Sequence, residues 1–246
     1  MKRLSLILLP FLFVQILMAQ PASIELESDA VGTIDWVAQV LKGGATSIVL
    51  LLVGFVGLVF FIERMIVVRR ANFIPKHLEL QLRECAERSD FDGMSAACKG
   101  NMSVLSSVGN YIASHKHIPF EILALGGSDL ISRAVSRQQL RNYPLAVVAT
   151  ISPLLGLLGT IIGMIESFQK VALMGDTGDA SVLADSIGKA LITTALGLII
   201  AIPTLASYHF FKSKINSFGI RLEETMDSLM SPWLHAEDAQ TPESKE

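Results

Sequence analysis

Three uncharged, apolar stretches constrain this chain more than any other feature. They are GGATSIVLLLVGFVGLVFFI (43–62), LAVVATISPLLGLLGTIIGMI (145–165) and ALITTALGLIIAIPTLASYHFF (190–211). Each reaches the ~20 residues that cross ~30 Å of hydrocarbon at ~1.5 Å per residue. Hydrocarbon offers no water to backbone polar groups, so stretches of this length and continuity read as helices. Composition agrees: 51% of residues are hydrophobic, 17% are charged and the mean hydropathy is +0.50, too apolar for an ordinary soluble domain. The expected fold is an all-α membrane protein with three transmembrane helices and long helices that run on into a helical domain.

Lysine and arginine at the flanks give the orientation. Glu63-Arg64 and Arg69-Arg70 follow the first stretch, Arg133, Arg137 and Arg141 precede the second, and Lys212, Lys214 and Arg221 follow the third. The connection between the second and third holds only Lys170 and Lys189, against Asp176, Asp179 and Asp185. The positive-inside rule therefore places 64–143 and the C-terminus in the cytoplasm, with the N-terminus outside. The chain opens MKRLSLILLPFLFVQILMAQPAS: basic residues, an apolar run broken by Pro10 and Gln15, then small residues. That is the layout of a signal peptide, with cleavage expected after Ala19 and an uncleaved anchor helix as the alternative.

The expected organisation is a signal peptide (1–19), a periplasmic segment (20–42), a first span (43–63), a cytoplasmic helical domain (64–143), a second span (144–168), a periplasmic loop (169–186), a third span (187–211) and a cytoplasmic helix and polar tail (212–246). Ile34, Val37, Val40 and Leu41 suit a short surface helix with Thr33 as its N-cap. Within 64–143, Leu78, Leu82 and Cys85, then Ile118, Ile122 and Leu125, recur at helical spacing. Asp90-Phe-Asp-Gly93, Lys99-Gly-Asn101 and Gly126-Gly-Ser128 read as breaks, and the tail after Pro232 as disordered. Pro153 and Pro203 mark kinks or changes of packing.

The spans carry more small and hydroxyl residues than lipid requires. Positions three, four and seven apart share a helix face. On the second span Ser152, Gly156, Gly159, Thr160, Gly163 and Ser167 form one stripe; on the third, Ala190, Thr194, Gly197, Ala201 and Thr204 do. Small stripes let membrane helices approach closely, because packing and polar contacts drive their association. The first span has Gly54 and Gly57 but no hydroxyl stripe, and reads as peripheral or lipid-facing.

Chemistry is sparse. No phosphate-binding loop, nucleophile elbow or His-Glu-x-x-His pattern occurs. Cys85 and Cys98 lie outside any metal-ligand spacing. A net charge of −3 gives no basis for nucleic-acid binding. No enzyme activity, cofactor or metal is expected. A channel subunit, a transporter part and a structural anchor stay open on these grounds.

The runs SPLLGLLGTIIGMIESF and IGKALITTALGLIIAIPTLASYHFF, with Glu63-Arg64 at the end of the first span, resemble the MotA/TolQ/ExbB proton-channel family, most like its ExbB branch. The resemblance implies a homopentameric ring in the bacterial inner membrane whose second and third helices line a pore. It also implies a one-span, ExbD-like partner carrying an ion-binding Asp, and a TonB-like protein that transmits motion to outer-membrane transporters. By the same resemblance Thr160 and Thr194 are pore hydroxyls, with Thr193 their neighbour about 100° round the helix. Some members carry Glu before Ala-Leu in the third span; here that position is Lys189. If Thr160 and Thr194 share a depth, Glu166 lies about 9 Å and Lys189 about 7.5 Å outward of them. They are therefore expected to face each other at the outer mouth, within one subunit or between neighbours. Each merely marking its helix's exit from lipid is the alternative. Other family members of TolQ or gliding-motor type, and an anchor without an ion path, remain alternatives.

Overall fold

The computed structural model describes residues 44–174 and 180–238. The expected signal peptide, the surface helix with Thr33 and the last eight residues of the tail lie outside them. The secondary structure of the described residues is α-helix throughout, joined by short turns: α1 (Gly44–Val67), α2 (Arg70–Phe73), α3 (Lys76–Glu87), α4 (Phe91–Cys98), α5 (Val104–Ser114), α6 (Phe120–Met174) and α7 (Ala180–Asp238). α1, α6 and α7 are long and apolar enough to cross a membrane, with mean hydropathies of 2.4, 2.2 and 2.0 over their most apolar windows. The chain is a membrane protein, with three such helices among the described residues.

The helices form two compact units. Among the described residues, one comprises 44–62, 143–174 and 180–209, the other 63–142 and 210–238.

In the second unit, α3, α4 and α5 enclose a small core. Leu78, Leu82 and Ala86 of α3 are buried, as are Met94 and Cys98 of α4 and Leu105, Val108 and Ile112 of α5. Cys85, expected on the buried face, is only partly buried; Ala86 takes that place. The breaks at Asp90 and Gly100 are present. Asp90 caps α4 by accepting a hydrogen bond from the Gly93 N–H at 2.8 Å, and Gly100 turns the chain at φ +82°. Ser103 caps α5 in the same way through Ser106 N.

Gly126-Gly-Ser128 is not a break. It lies inside α6, because both glycines make room for neighbours. A Cβ at Gly126 would run into the Tyr111 hydroxyl, and one at Gly127 into Met226 Sδ. Gly127 thereby fixes which side of α6 turns inward: Leu123 and Ile131, one turn either side of it, are buried. Ile122 and Leu125, which recur at helical spacing, are 56% and 72% exposed. α6 also runs through Pro144, and α7 through Pro203 and Pro232, so the expected tail is helical as far as Asp238.

Arg64 is the largest buried side chain, 1% exposed. Its Nη2 donates to Glu63 Oε1 at 2.5 Å and its Nη1 to Gln138 Oε1 at 3.3 Å. An arginine cannot shed its charge to escape burial, so these acceptors hold it there.

Candidate functional site: the contact between the second and third spans

The first unit is built on a close approach of α6 and α7, made possible by glycine. A Cβ at Gly156 would stand 3.0 Å from both Thr193 O and Thr194 Cα, and one at Gly163 2.8 Å from Ala190 Cβ. At Gly197 a Cβ would lie 2.6 Å from Ser152 O and 3.2 Å from Gly156 Cα. Gly156 and Gly197 thus meet backbone, and Gly163 the Ala190 methyl, at distances that an added Cβ would crowd. The helices run antiparallel, with Gly156 opposite Thr194 and Gly163 opposite Ala190.

Ser152, Gly156, Gly159 and Ser167 are buried on this face of α6, and Ala190, Thr193, Gly197 and Ala201 on that of α7. Ser152 and Ser167 donate to their own helix, to Val148 O and Gly163 O, each at 2.7 Å. That satisfies a hydroxyl without a partner across the gap.

The three threonines differ. Thr193, 2% exposed, sits on Gly159 and donates to Ala190 O at 2.7 Å, with Gly156 O further off at 3.4 Å. Thr194, half-buried, donates across the contact to Gly156 O at 3.0 Å. Thr160 is at the margin and donates to Leu157 O of its own helix at 2.7 Å. Its oxygen keeps acceptor capacity toward whatever lies beside the helix. Face-counting from sequence chose Thr194 for the stripe and set Thr193 apart; both meet α6, and Thr193 is the more deeply buried. The signal that distinguishes them is the Gly156/Gly159 pair, which leaves two hollows for two adjacent threonines.

Glu166 is exposed and Lys189 half-buried. Measured from the opposed Gly163 and Ala190, Glu166 is three residues and Lys189 one residue further along, a difference of about 3 Å in axial level. Gly54 and Gly57 of α1 also serve close packing, against Ile200 and against Val148 and Thr204.

Among the described residues, fold and contact define an all-α membrane protein with three candidate spans, of which the second and third pack closely around threonine hydroxyls. Among the described residues no His, Cys, Asp and Glu cluster is arranged to hold a metal ion. The model of the MotA/TolQ/ExbB proton channel family matches residues 128–224, which include this contact. The chain is 41% identical over 90 residues to the biopolymer transport protein exbB1 of Vibrio cholerae, covering 37% of this chain and 39% of that one. It is 38% identical over 112 residues to the biopolymer transport protein ExbB of Xanthomonas campestris, covering 42% and 43%. With ExbB of Salmonella typhimurium it shares 41% over 81 residues, 33% of each. The chain thus spans about two fifths or less of the length of these relatives. Over residues 128–224 the chain is similar to the MotA/TolQ/ExbB family, and the relatives it resembles there are ExbB proteins. The family and these relatives are transport proteins.

Proposed function

We propose that the chain is an ExbB-like subunit of an ion-driven motor in the bacterial inner membrane. It forms an oligomeric pore, expected to be a homopentamer, and works with an ExbD-like one-span partner to energise TonB-dependent outer-membrane transport. The glycine-lined contact carrying Thr160, Thr193 and Thr194, inside the family-matched stretch, is the observation that carries this reading.

Three further observations support it. The uncharged stretches hold no carboxylate, which fits an ion-carrying acid supplied by the partner helix. A threonine hydroxyl beside such an acid can accept a hydrogen bond from its neutral form or donate to its ionised form, without burying a charge of its own. Thr160 suits this role, since Thr193 and Thr194 already engage the α6–α7 contact. Outside the uncharged stretches, Ile122, Leu125 and Leu140 stand 56%, 72% and 73% exposed on α6, with Ile122 and Leu140 five turns apart and so on one side. Large apolar side chains turned outward beyond the lipid-facing stretches call for a protein neighbour, and a second copy supplies one. The flanking cations support an N-out, C-in orientation. We propose that Glu166 and Lys189, nearly level, pair at the outer mouth, within one subunit or between neighbours.

The test is uptake driven by the proton gradient, in cells expressing Thr160→Ala or Thr194→Ala with the one-span partner. The expected result is loss of uptake from a complex that still co-purifies with its partner. Uptake at the parental level in both variants overturns the pore role.

A further inference from the structure

We infer that Arg137 of one chain pairs with Glu224 of a second copy, so that opposite edges of the α6–α7 hairpin form the two halves of a head-to-tail contact. This pairing rests on the oligomeric reading above and adds which surfaces meet. Both residues are exposed, and neither side chain has a hydrogen-bond or ion-pair partner among the described residues. Arg133, one turn before Arg137, is by contrast engaged by Asp129 at 2.8 Å. Glu224 borders a groove of about 360 Å³ between α3 and α7, lined also by the buried Ile74 and Thr225. The other acid of that groove, Glu79, is engaged by Arg83 at 3.5 Å, which leaves Glu224 as the acceptor open to an incoming cation.

The contact within the chain fixes where the two residues point. A Cβ at Gly219 would stand 2.9 Å from Val135 Cγ2, Gln139 Nε2 donates to Asn216 Oδ1 at 2.6 Å, and Gly127 opposes Met226. At about 100° per residue, Arg137 lies about 200° round α6 from Val135, and Glu224 about 140° round α7 from Gly219. Both point away from the contact between the helices, from opposite edges of the pair. Leu140, 73% exposed, lies about 60° from Arg137 on α6, so the cation borders the apolar side chains that call for a protein neighbour. The same three contacts place Glu224 level with about residue 130 of α6, so Arg137 stands about 10 Å nearer the apolar stretch. A second copy in the same membrane has the same orientation and depth, and its α6 runs opposite to this α7. Helical side chains lean toward their own N-terminus. The second copy's Arg137 therefore leans away from the membrane and Glu224 toward it, which brings a long arginine and a glutamate together across that height. Since the two residues lie on opposite edges, one neighbour cannot engage both. Each copy needs two neighbours, and repetition closes a ring.

The experiment is thiol cross-linking in membranes with a short bismaleimide, on the full-length chain carrying Cys85→Ser, Cys98→Ala, Arg137→Cys and Glu224→Cys. A ladder from dimer up to the closed ring is expected, with no such ladder when either Arg137→Cys or Glu224→Cys is present alone. Products that stop at dimers overturn the head-to-tail contact. On native mass spectrometry, Arg137→Glu and Glu224→Arg should each lower the fraction of complete ring about tenfold, since a small loss repeated at every interface adds. The double swap should restore it. Arg221→Gln, which removes an exposed cation one turn from Glu224, should leave it unchanged. A double swap no better than the single variants overturns the pairing. An unmodified chain that is monomeric overturns the oligomeric reading and the inference together, whereas a ring that forms without the cross-link overturns the inference alone.

Discussion

Gly197→Ala is the smallest change that opposes the contact on which the functional reading rests. The added Cβ would lie 2.6 Å from Ser152 O, whereas ordinary contacts begin near 3.4 Å, and the obstacle is backbone that cannot swing aside. The two helices must therefore part by about 0.8 Å in a close-packed interior. The same movement stretches the Thr194 Oγ1 to Gly156 O hydrogen bond from 3.0 Å past the distance at which it counts as one. Overpacking of this kind costs about 1–3 kcal/mol, and a lost interhelical hydrogen bond in a membrane about 0.6 kcal/mol. Alanine returns up to about 1 kcal/mol through helix propensity. The net expected loss is about 1–3 kcal/mol, a shift of roughly 5- to 150-fold in the folded-to-unfolded ratio. Equilibrium unfolding in mixed detergent and dodecyl sulfate micelles measures it. Gly188→Ala is the control, because a Cβ there meets nothing within 4 Å; it should be neutral or slightly stabilising. Parental stability of Gly197→Ala, or an equal loss in Gly188→Ala, would refute the backbone-contact argument.

Two other predictions concern the second unit. Gly126→Ala should destabilise the protein by about 1–3 kcal/mol by driving a methyl group into the Tyr111 hydroxyl, and Tyr111→Leu should relieve part of that loss in the double variant, as read by thermal unfolding. The thiols should be slow nucleophiles at neutral pH. Burial, followed by Asp90 and Glu84, pushes Cys85 up, and burial is the largest cause for Cys98, opposed by its hydrogen bond with Ser106. Since the thiolate is the reactive form, alkylation of the accessible Cys85 should accelerate as pH rises above the ordinary thiol range. Mass spectrometry of iodoacetamide-treated protein should find Cys85 modified first, with Cys98 protected until unfolding.

The sequence made the spans legible because twenty apolar residues without a charge have few other uses, and α1, α6 and α7 contain them. It made the small faces legible for the same reason: Gly156, Gly159, Gly163 and Gly197 recur at helical spacing, and each meets the opposite helix. What it concealed depends on a partner distant in the chain. Gly126 and Gly127 look like a helix break until Tyr111 and Met226 occupy the room they leave. The division of labour between Thr193 and Thr194 depends on which of them faces each glycine hollow, a rotation that residue spacing does not fix. Arg64 looks like a cation marking the exit from lipid, yet it is buried, and one of its two acceptors is Gln138, 74 positions along the chain.

The central claim is that the chain, with a one-span partner carrying an acidic residue, conducts protons past Thr160. The most direct measurement is proton flux into liposomes containing the two co-purified proteins, with a pH gradient and a valinomycin-clamped potential. The account predicts flux from the unmodified pair and little or none from the equally assembled Thr160→Ala pair. Equal flux from both, or none from the unmodified pair, would contradict it.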